Sequence, residues 1–315
     1  MRTLIMGGAG FIGRHVVRLL SRTGRRICVA DLRTAHDPSL PEGISYYSLA
    51  GAADYGLPGL CGDFDEIVDL AYTSVPQTSY EDPIKDISEN LPRFVRLLQF
   101  AAERCKGRFV FLSSGGTVYG QAKFLPITED HPFEPLSPYG ITKLATEKYA
   151  AMYGLQRGIP IICLRPGNPY GEGQMPFRGQ GFVATAIGSI LAGRPITVFG
   201  STGAVRDYIH VEDAARAVLA ALEAGVPGTA YNVGTGRGLN NTQVLDLLEK
   251  NLPAAYSMPA IQHVPERMFD VRENVLDCTR LKTDTGWKPE IAFEEGLKRS
   301  FFWLEQNFPD KSEAE

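Results

Sequence analysis

Short apolar runs separated by longer amphipathic stretches recur through the first half of the chain. Residues 3–6, 26–30, 66–70, 108–112 and 159–164 are brief and mainly apolar. Strands covered on both faces have this texture, so these five segments predict buried parallel strands. Between several of them, apolar positions recur at three and four. In 14–22, Val16, Val17, Leu19 and Leu20 alternate with basic residues. In 91–104, Leu91, Phe94, Val95, Leu98 and Ala101 share one helical face. A third stretch, 137–153, has Pro138 near its start, where helix N-termini favour proline. Strands alternating with helices predict an α/β fold on a doubly wound parallel sheet. After about Pro166 the texture changes. Residues 168–180 are rich in Gly, Pro and polar side chains and read as a long loop, which in a compact domain is usually functional. Helix-like and strand-like pieces follow at 182–192, 196–199, 213–224 and 242–251. The charged end, 310–315, is expected to fray.

Composition narrows the class. The 315 residues are 44% apolar and 22% charged, with net charge -4 and no basic run. Nucleic acid and anionic membranes are therefore poor partners. No apolar stretch reaches the ~18 residues of a membrane span, and no signal peptide is expected. Cys28, Cys61, Cys105, Cys163 and Cys278 are scattered without a CxxC pair and read as free thiols of a cytoplasmic protein. The five histidines form no HExxH motif, so no metal is expected.

Two constellations carry chemistry. Gly7, Gly10 and Gly13 fit G-x-x-G-x-x-G between the first strand and the first helix. Glycine there lets the backbone approach a pyrophosphate, and the helix N-terminus supplies N–H donors. Asp31, at the end of the second strand, would take the adenosine ribose hydroxyls and favour NAD over NADP; Arg33 is the one nearby residue arguing the other way. Tyr139 and Lys143 stand one helical turn apart. A cation beside a phenol favours the phenolate, a base for a sugar hydroxyl.

With SSGGTVYG (113–120), SPYGITK (137–143), RPGNPYG (165–171) and RDYIHVEDA (206–214) added, nearly the whole chain resembles the extended short-chain dehydrogenase/reductases. Within them it resembles the NAD-dependent epimerase/dehydratase family, and most of all its UDP-glucose 4-epimerases. The resemblance implies a Rossmann-type NAD-binding domain over 1–167. It implies a smaller mixed α/β substrate domain over 168–315, with segments near 205–235 returning to the first. It implies that Gly7, Gly10, Phe11, Ile12, Gly13, Asp31, Leu70, Ala71, Asn90 and Ser113 bind NAD, together with Tyr139 and Lys143. Tyr139 matches the catalytic tyrosine, and Lys143 the lysine that holds the nicotinamide ribose. Asn168, Phe199, Arg206, Arg267 and Asp270 match the nucleotide-diphosphate site, with the two arginines clamping phosphate oxygens bidentately. Asn274 matches a position bordering the sugar. Being smaller than the tyrosine found there in relatives, it suggests tolerance of N-acetylated sugars.

Three departures from the pattern stand out. The hydroxyl residue usually found four before the tyrosine of VYG is Gly115 here. Thr117 is the expected substitute and Ser114 the second. Residues 46–55 lack the usual Gly-Asp that contacts adenine. Gly116-Thr117 replace the Asp-Glu pair of dehydratases, which argues against 4,6-dehydration. The resemblance therefore implies C4 epimerisation of a UDP-hexose. The alternatives are a UDP-glucuronate 4-epimerase or decarboxylase, a 4-keto nucleotide-sugar reductase and, remotely, a non-catalytic NAD-binding regulator. A homodimer through 91–104 and 137–153 is expected, with Phe94, Leu97 and Phe100 as its apolar patch or as core.

Overall fold

The structure is a computed structural model that describes all residues except 34–38, 51–54, 56, 58, 61, 268–269 and 309–315. Cys61, the charged end and part of the 46–55 segment thus lie outside the described residues. The first half runs β1 (Arg2–Met6), α1 (Phe11–Ser21), β2 (Arg26–Asp31), β3 (Ser45–Ser48), β4 (Glu66–Asp69), α2 (Pro76–Glu81), α3 (Pro83–Arg104), β5 (Phe109–Leu112), α4 (Pro138–Arg157) and β6 (Ile161–Pro166). The second half runs β7 (Asn168–Tyr170), α5 (Phe182–Ala192), β8 (Ile196–Phe199), β9 (Val205–His210), α6 (Val211–Ala224), β10 (Ala230–Val233), β11 (Gly238–Leu239), α7 (Asn241–Asn251), β12 (Ile261–Val264), β13 (Glu273–Asn274), α8 (Thr279–Thr285) and α9 (Phe293–Asn307).

Seven strands form one sheet in the order β10-β6-β5-β4-β1-β2-β3, and every pairing in it is parallel. Successive residues of β1 face opposite sides: Leu4 and Met6 join one core cluster and Ile5 the other. On one side Val16, Val17 and Leu20 of α1 meet Val218 and Ala221 of α6. On the other, Phe94, Leu97 and Leu98 of α3 lie with Ala150 of α4. Burying each large apolar side chain contributes ~1.5–3 kcal/mol, which is why both helix layers stay on the sheet. The chain leaves β1 toward β3 and then returns across it to β4. This Rossmann-type α/β topology reverses direction between β1 and β4, and the crevice at the strands' C-terminal ends is where such sheets bind ligands.

Some sequence expectations shift. The third helix begins at Pro83 rather than near 91, because Asp82 caps it by accepting from Lys85 N and Pro83 fills the first turn. Phe94 and Leu97 are core rather than a surface patch, and Phe100 packs beside Phe64. The expected loop at 168–180 opens with β7, which pairs in parallel with β9. In the second half β9 also holds β11 and β13, while β8 pairs with β12. Helices α5, α7 and α9 cover a third core that includes Ile187, Val244, Leu248, Leu297 and Phe301. Among the described residues no helix is long and apolar enough to cross a membrane, and no acidic, His or Cys group is arranged to hold a metal. Cys28, Cys105, Cys163 and Cys278 are free thiols.

Candidate active site

A cavity of ≈ 870 Å³ opens along the C-terminal ends of the central strands and runs into the second half of the chain. Gly7, Gly10, Phe11, Ile12 and Gly13 form one wall. Gly7 has φ 74, and a Cβ on it would stand 2.9 Å from the backbone of Ala71. A Cβ on Gly13 would stand 2.1 Å from Gly7 O. Side chains are thus excluded where the loop must turn and where the helix must touch it. The N-cap of α1 is Gly10, with no capping side chain and no acid in the first turn. Its N–H groups and positive dipole end are therefore open to an anion. Asp31 braces the loop, accepting from Ala9 N at 3.0 Å and Arg33 N at 3.2 Å.

The floor is set by β4 and α3. Arg93 pairs bidentately with Asp69 at 2.9 Å through both nitrogens and donates to Ala71 O at 2.8 Å, fixing the strand end at Leu70 and Ala71. Leu70 lines the cavity, whereas Ala71 backs the glycine loop. Asn90, which the resemblance assigns to NAD binding, is fully buried and bonded to protein groups. Its Oδ1 accepts from Thr73 N at 2.9 Å, and its Nδ2 donates to Asp86 O at 2.8 Å and Ser74 Oγ at 3.2 Å. With every amide position engaged, Asn90 orders the 73–74 segment instead.

Helix α4 brings Tyr139 and Lys143 into the same cavity. Ser137 caps it, accepting from Gly140 N at 3.1 Å, and Ser79 Oγ takes the Tyr139 N–H at 3.1 Å. The Lys143 ammonium donates to Leu112 O at 2.8 Å and stands 5.7 Å from the centre of the Tyr139 ring. Burial and the Asp86 carboxylate push the Tyr139 phenol up, and the neighbouring Ser114 hydroxyl pulls it down. Burial lowers Lys143 to about 8. The expectation that Lys143 lowers the Tyr139 pKa is therefore corrected: the ammonium is turned toward a carbonyl, and Ser114 is the neighbour that lowers it.

The departure at 115 also resolves physically. A Cβ on Gly115 would stand 2.6 Å from Arg165 O and 2.8 Å from Leu276 Cδ1, so no hydroxyl fits there. Ser114, the second choice, meets Tyr139. Thr117 lines the cavity with its Oγ1 buried and lacking a partner among the described residues. Ser113 Oγ, Asn168 Nδ2 and Gln174 Oε1 share that condition on the same walls. Buried polar atoms without partners are costly, so these walls suit a polar ligand.

From the second half of the chain, Phe199, Arg206, Arg267 and Asp270 line the cavity. The Arg267 guanidinium lies 3.7 Å over the Phe199 ring. Arg206 is held by the carbonyls of Val205 and Val271, and burial lowers its pKa. Asn274 does not belong to the cavity wall. It is 1% exposed, and its Nδ2 donates to Gly115 O at 2.9 Å. The size argument for N-acetylated sugars therefore loses its basis. Tyr72, Ser74 and Gln77, which the sequence reading did not single out, also line the cavity. They follow β4 in a stretch without a motif; only its position after a central strand could have flagged them.

A family model described as the NAD dependent epimerase/dehydratase family matches residues 3–234. A UDP-glucose 4-epimerase of Mycolicibacterium smegmatis is 34% identical over 95% of this chain and 97% of its own. The crystal structure of a UDP-glucose 4-epimerase with UDP-glucose from Thermotoga maritima superposes with TM-score 0.91 at 32% identity, covering 98% of this chain and 100% of that one. A Thermus thermophilus UDP-glucose 4-epimerase in complex with NAD gives TM-score 0.88, also at 32% identity, over 98% of this chain and 100% of that one. Together with the glycine cradle and the Tyr139/Lys143 helix, these matches show that the chain belongs to the NAD-dependent epimerase/dehydratase family.

Proposed function

We propose that this chain is an NAD-dependent isomerase that epimerises C4 of a UDP-hexose, interconverting UDP-glucose and UDP-galactose through a transient 4-keto sugar. One observation carries the reading: Tyr139, Ser114, Lys143, the glycine cradle and two arginines share a single cavity. In this reading residues 1–167 hold the cofactor, and 168–315, apart from the returning 205–235 segment, hold the sugar nucleotide.

NAD fits the cradle, since a Cβ at Gly7 or Gly13 would occupy backbone space and the end of α1 is uncapped. Gly10, Phe11, Ile12 and Gly13 would hold its pyrophosphate, Asp31 and Leu70 its adenosine side, and Ser113 and Lys143 its nicotinamide ribose. Bound there, NAD supplies hydride acceptance and return at C4. Tyr139 takes and returns the proton of the C4 hydroxyl while Ser114 steadies the phenolate oxygen. Thr117 and Asn168 offer unpartnered polar atoms to the sugar and the diphosphate. Arg206 and Arg267 anchor the diphosphate, Phe199 stacks near the base, and Asp270 takes the uridine ribose. Firm anchoring at one end leaves the keto sugar free to present its other face.

The described cavity walls carry only Lys143, Arg206 and Arg267 as cations. With these assigned, a C6 carboxylate finds no counter-charge, which favours a neutral hexose over a glucuronate. We place the protein in the cytoplasm, consistent with its free thiols. We also propose a homodimer through α3 and α4, whose outward apolar side chains include Ile84, Ile87, Ile141, Tyr149 and Met152. The test is to incubate purified protein with UDP-galactose and follow the sugar anomeric signals by NMR. UDP-glucose should accumulate without net NADH change; absence of a second sugar, or release of CO₂, contradicts the reading.

A further inference from the structure

Three contacts converge on Tyr72. Its ring centre lies 4.9 Å from that of Tyr139, edge-on at 71°. The Lys143 Nζ stands 3.9 Å from the Tyr72 ring centre, nearer than its 5.7 Å to Tyr139. The Tyr72 phenol donates to Asp86 Oδ1 at 3.3 Å. Asp86 is 1% exposed and is itself held by Ser74 and by Thr142 Oγ1 at 2.6 Å, one residue before Lys143. Tyr72 joins none of the apolar clusters among the described residues, so its ring is not core filling.

A buried ammonium needs replacements for lost water. Lys143 has one carbonyl, Leu112 O, and the face of Tyr72. The negative π-face of an aromatic ring attracts a cation most strongly where water is excluded. The same ring limits how far the Tyr139 ring can tilt. We propose that Tyr72 is a positioning residue of the reaction centre: its face carries the Lys143 ammonium, its body braces Tyr139, and Asp86 tethers it through the phenol. The proposal rests on the reading of Tyr139 and Lys143 given above.

The groups facing Lys143 are Asp69 from β4, Arg93 and Asp86 from α3, Cys163 from β6, Tyr139 from its own helix, and Tyr72. Burial is what lowers its pKa to about 8, and the two carboxylates oppose that. Loss of the aromatic face removes a further support for the charged form, so the alkaline limb of activity should move to lower pH.

The experiment compares Tyr72→Met and Tyr72→Phe with the wild type in the NAD-loaded enzyme. It records kcat, KM and the alkaline limb, with bound NAD and melting temperature as folding controls. Calorimetric NAD titration of cofactor-stripped protein against pH reads the same limb without turnover. Tyr72→Met should lose kcat about tenfold, keep KM within about twofold because the diphosphate anchors are remote, and shift both limbs down by about half to one unit. Tyr72→Phe keeps the ring and should lose kcat only about threefold, with the limbs in place. A Met variant with unmoved limbs overturns the proposal, and so does a Phe variant that loses as much as Met. If Tyr72→Met fails to fold, Tyr72→Phe decides the matter: a tenfold loss there means that the ring is not the agent. Retained turnover in Tyr139→Phe would instead overturn the underlying reading of the centre.

Discussion

The Ser114 hydroxyl lies close enough to the Tyr139 phenol to lower its pKa, bringing the loop after β5 against the first turn of α4. The neighbouring Gly115 has no room for a side chain against Arg165 O and Leu276, and Asn274 pins its carbonyl. Ser114→Ala should therefore lower kcat by about 100-fold with KM little changed, the scale of losing one hydrogen-bond donor to a developing oxyanion. Gly115→Ser should not improve activity. It should destabilise the fold by about 1–3 kcal/mol, read by urea unfolding. Activity that survives in Ser114→Ala but collapses in Thr117→Ala would restore Thr117 as the assisting hydroxyl.

The arginine end should behave differently. Arg267 lies over Phe199 and Arg206 is held by two carbonyls. Arg267→Ala should raise KM for the UDP-sugar by about 10- to 100-fold and change kcat by less than about fivefold, because such a contact is equally present in ground and transition states. A loss in kcat with unchanged KM would remove Arg267 from the anchor.

The buried pair Arg93–Asp69 supports the cavity floor from below. Asp69→Asn leaves the guanidinium buried beside a neutral group. The cost should be about 3–5 kcal/mol of stability, seen as a lower melting temperature, with cofactor affinity falling as the Leu70–Ala71 strand end loosens. Replacing both partners by apolar residues should recover much of that stability but not the affinity.

Much of this was legible in the sequence. The glycine loop, the Tyr139/Lys143 spacing and the central strands are local patterns: the strands form the parallel sheet, and the loop and the pair both line the cavity. What stayed hidden depends on contacts between distant segments. In residues 83–90 the buried positions are the polar Asp86 and Asn90 while Ile84 and Ile87 are exposed, so the first two turns of α3 show no core-facing apolar stripe and are held by the Asp82 cap. Asn274 faces Gly115 across 159 positions of sequence, so its removal from the sugar wall could not be read from spacing to Asp270. Tyr72 and Asp86 meet Lys143 only because β4, α3 and α4 converge, and neither lies in a motif.

Lys143 links stability to pH with a definite sign. Its folded pKa, about 8, lies below the ordinary lysine value of 10.5. A depressed pKa adds stability only above the unfolded value, and that contribution is lost as pH falls through the folded one. The cofactor-free protein should gain stability from this group as pH rises from about 8 toward 10. Lys143→Met should therefore be more stable than wild type at pH 7 while losing activity, and its advantage should shrink at alkaline pH. Urea unfolding of both proteins at several pH values checks this; an advantage that grows with pH would contradict it.

The central claim is that Tyr139 handles the proton of the C4 hydroxyl. The most direct measurement is the turnover of UDP-galactose to UDP-glucose by Tyr139→Phe, with bound NAD and melting temperature recorded on the same sample. The account predicts a folded, NAD-containing protein whose kcat is lower by at least about 1000-fold, within the range for losing a positioned acid–base group. Turnover within about tenfold of wild type in that protein would contradict it.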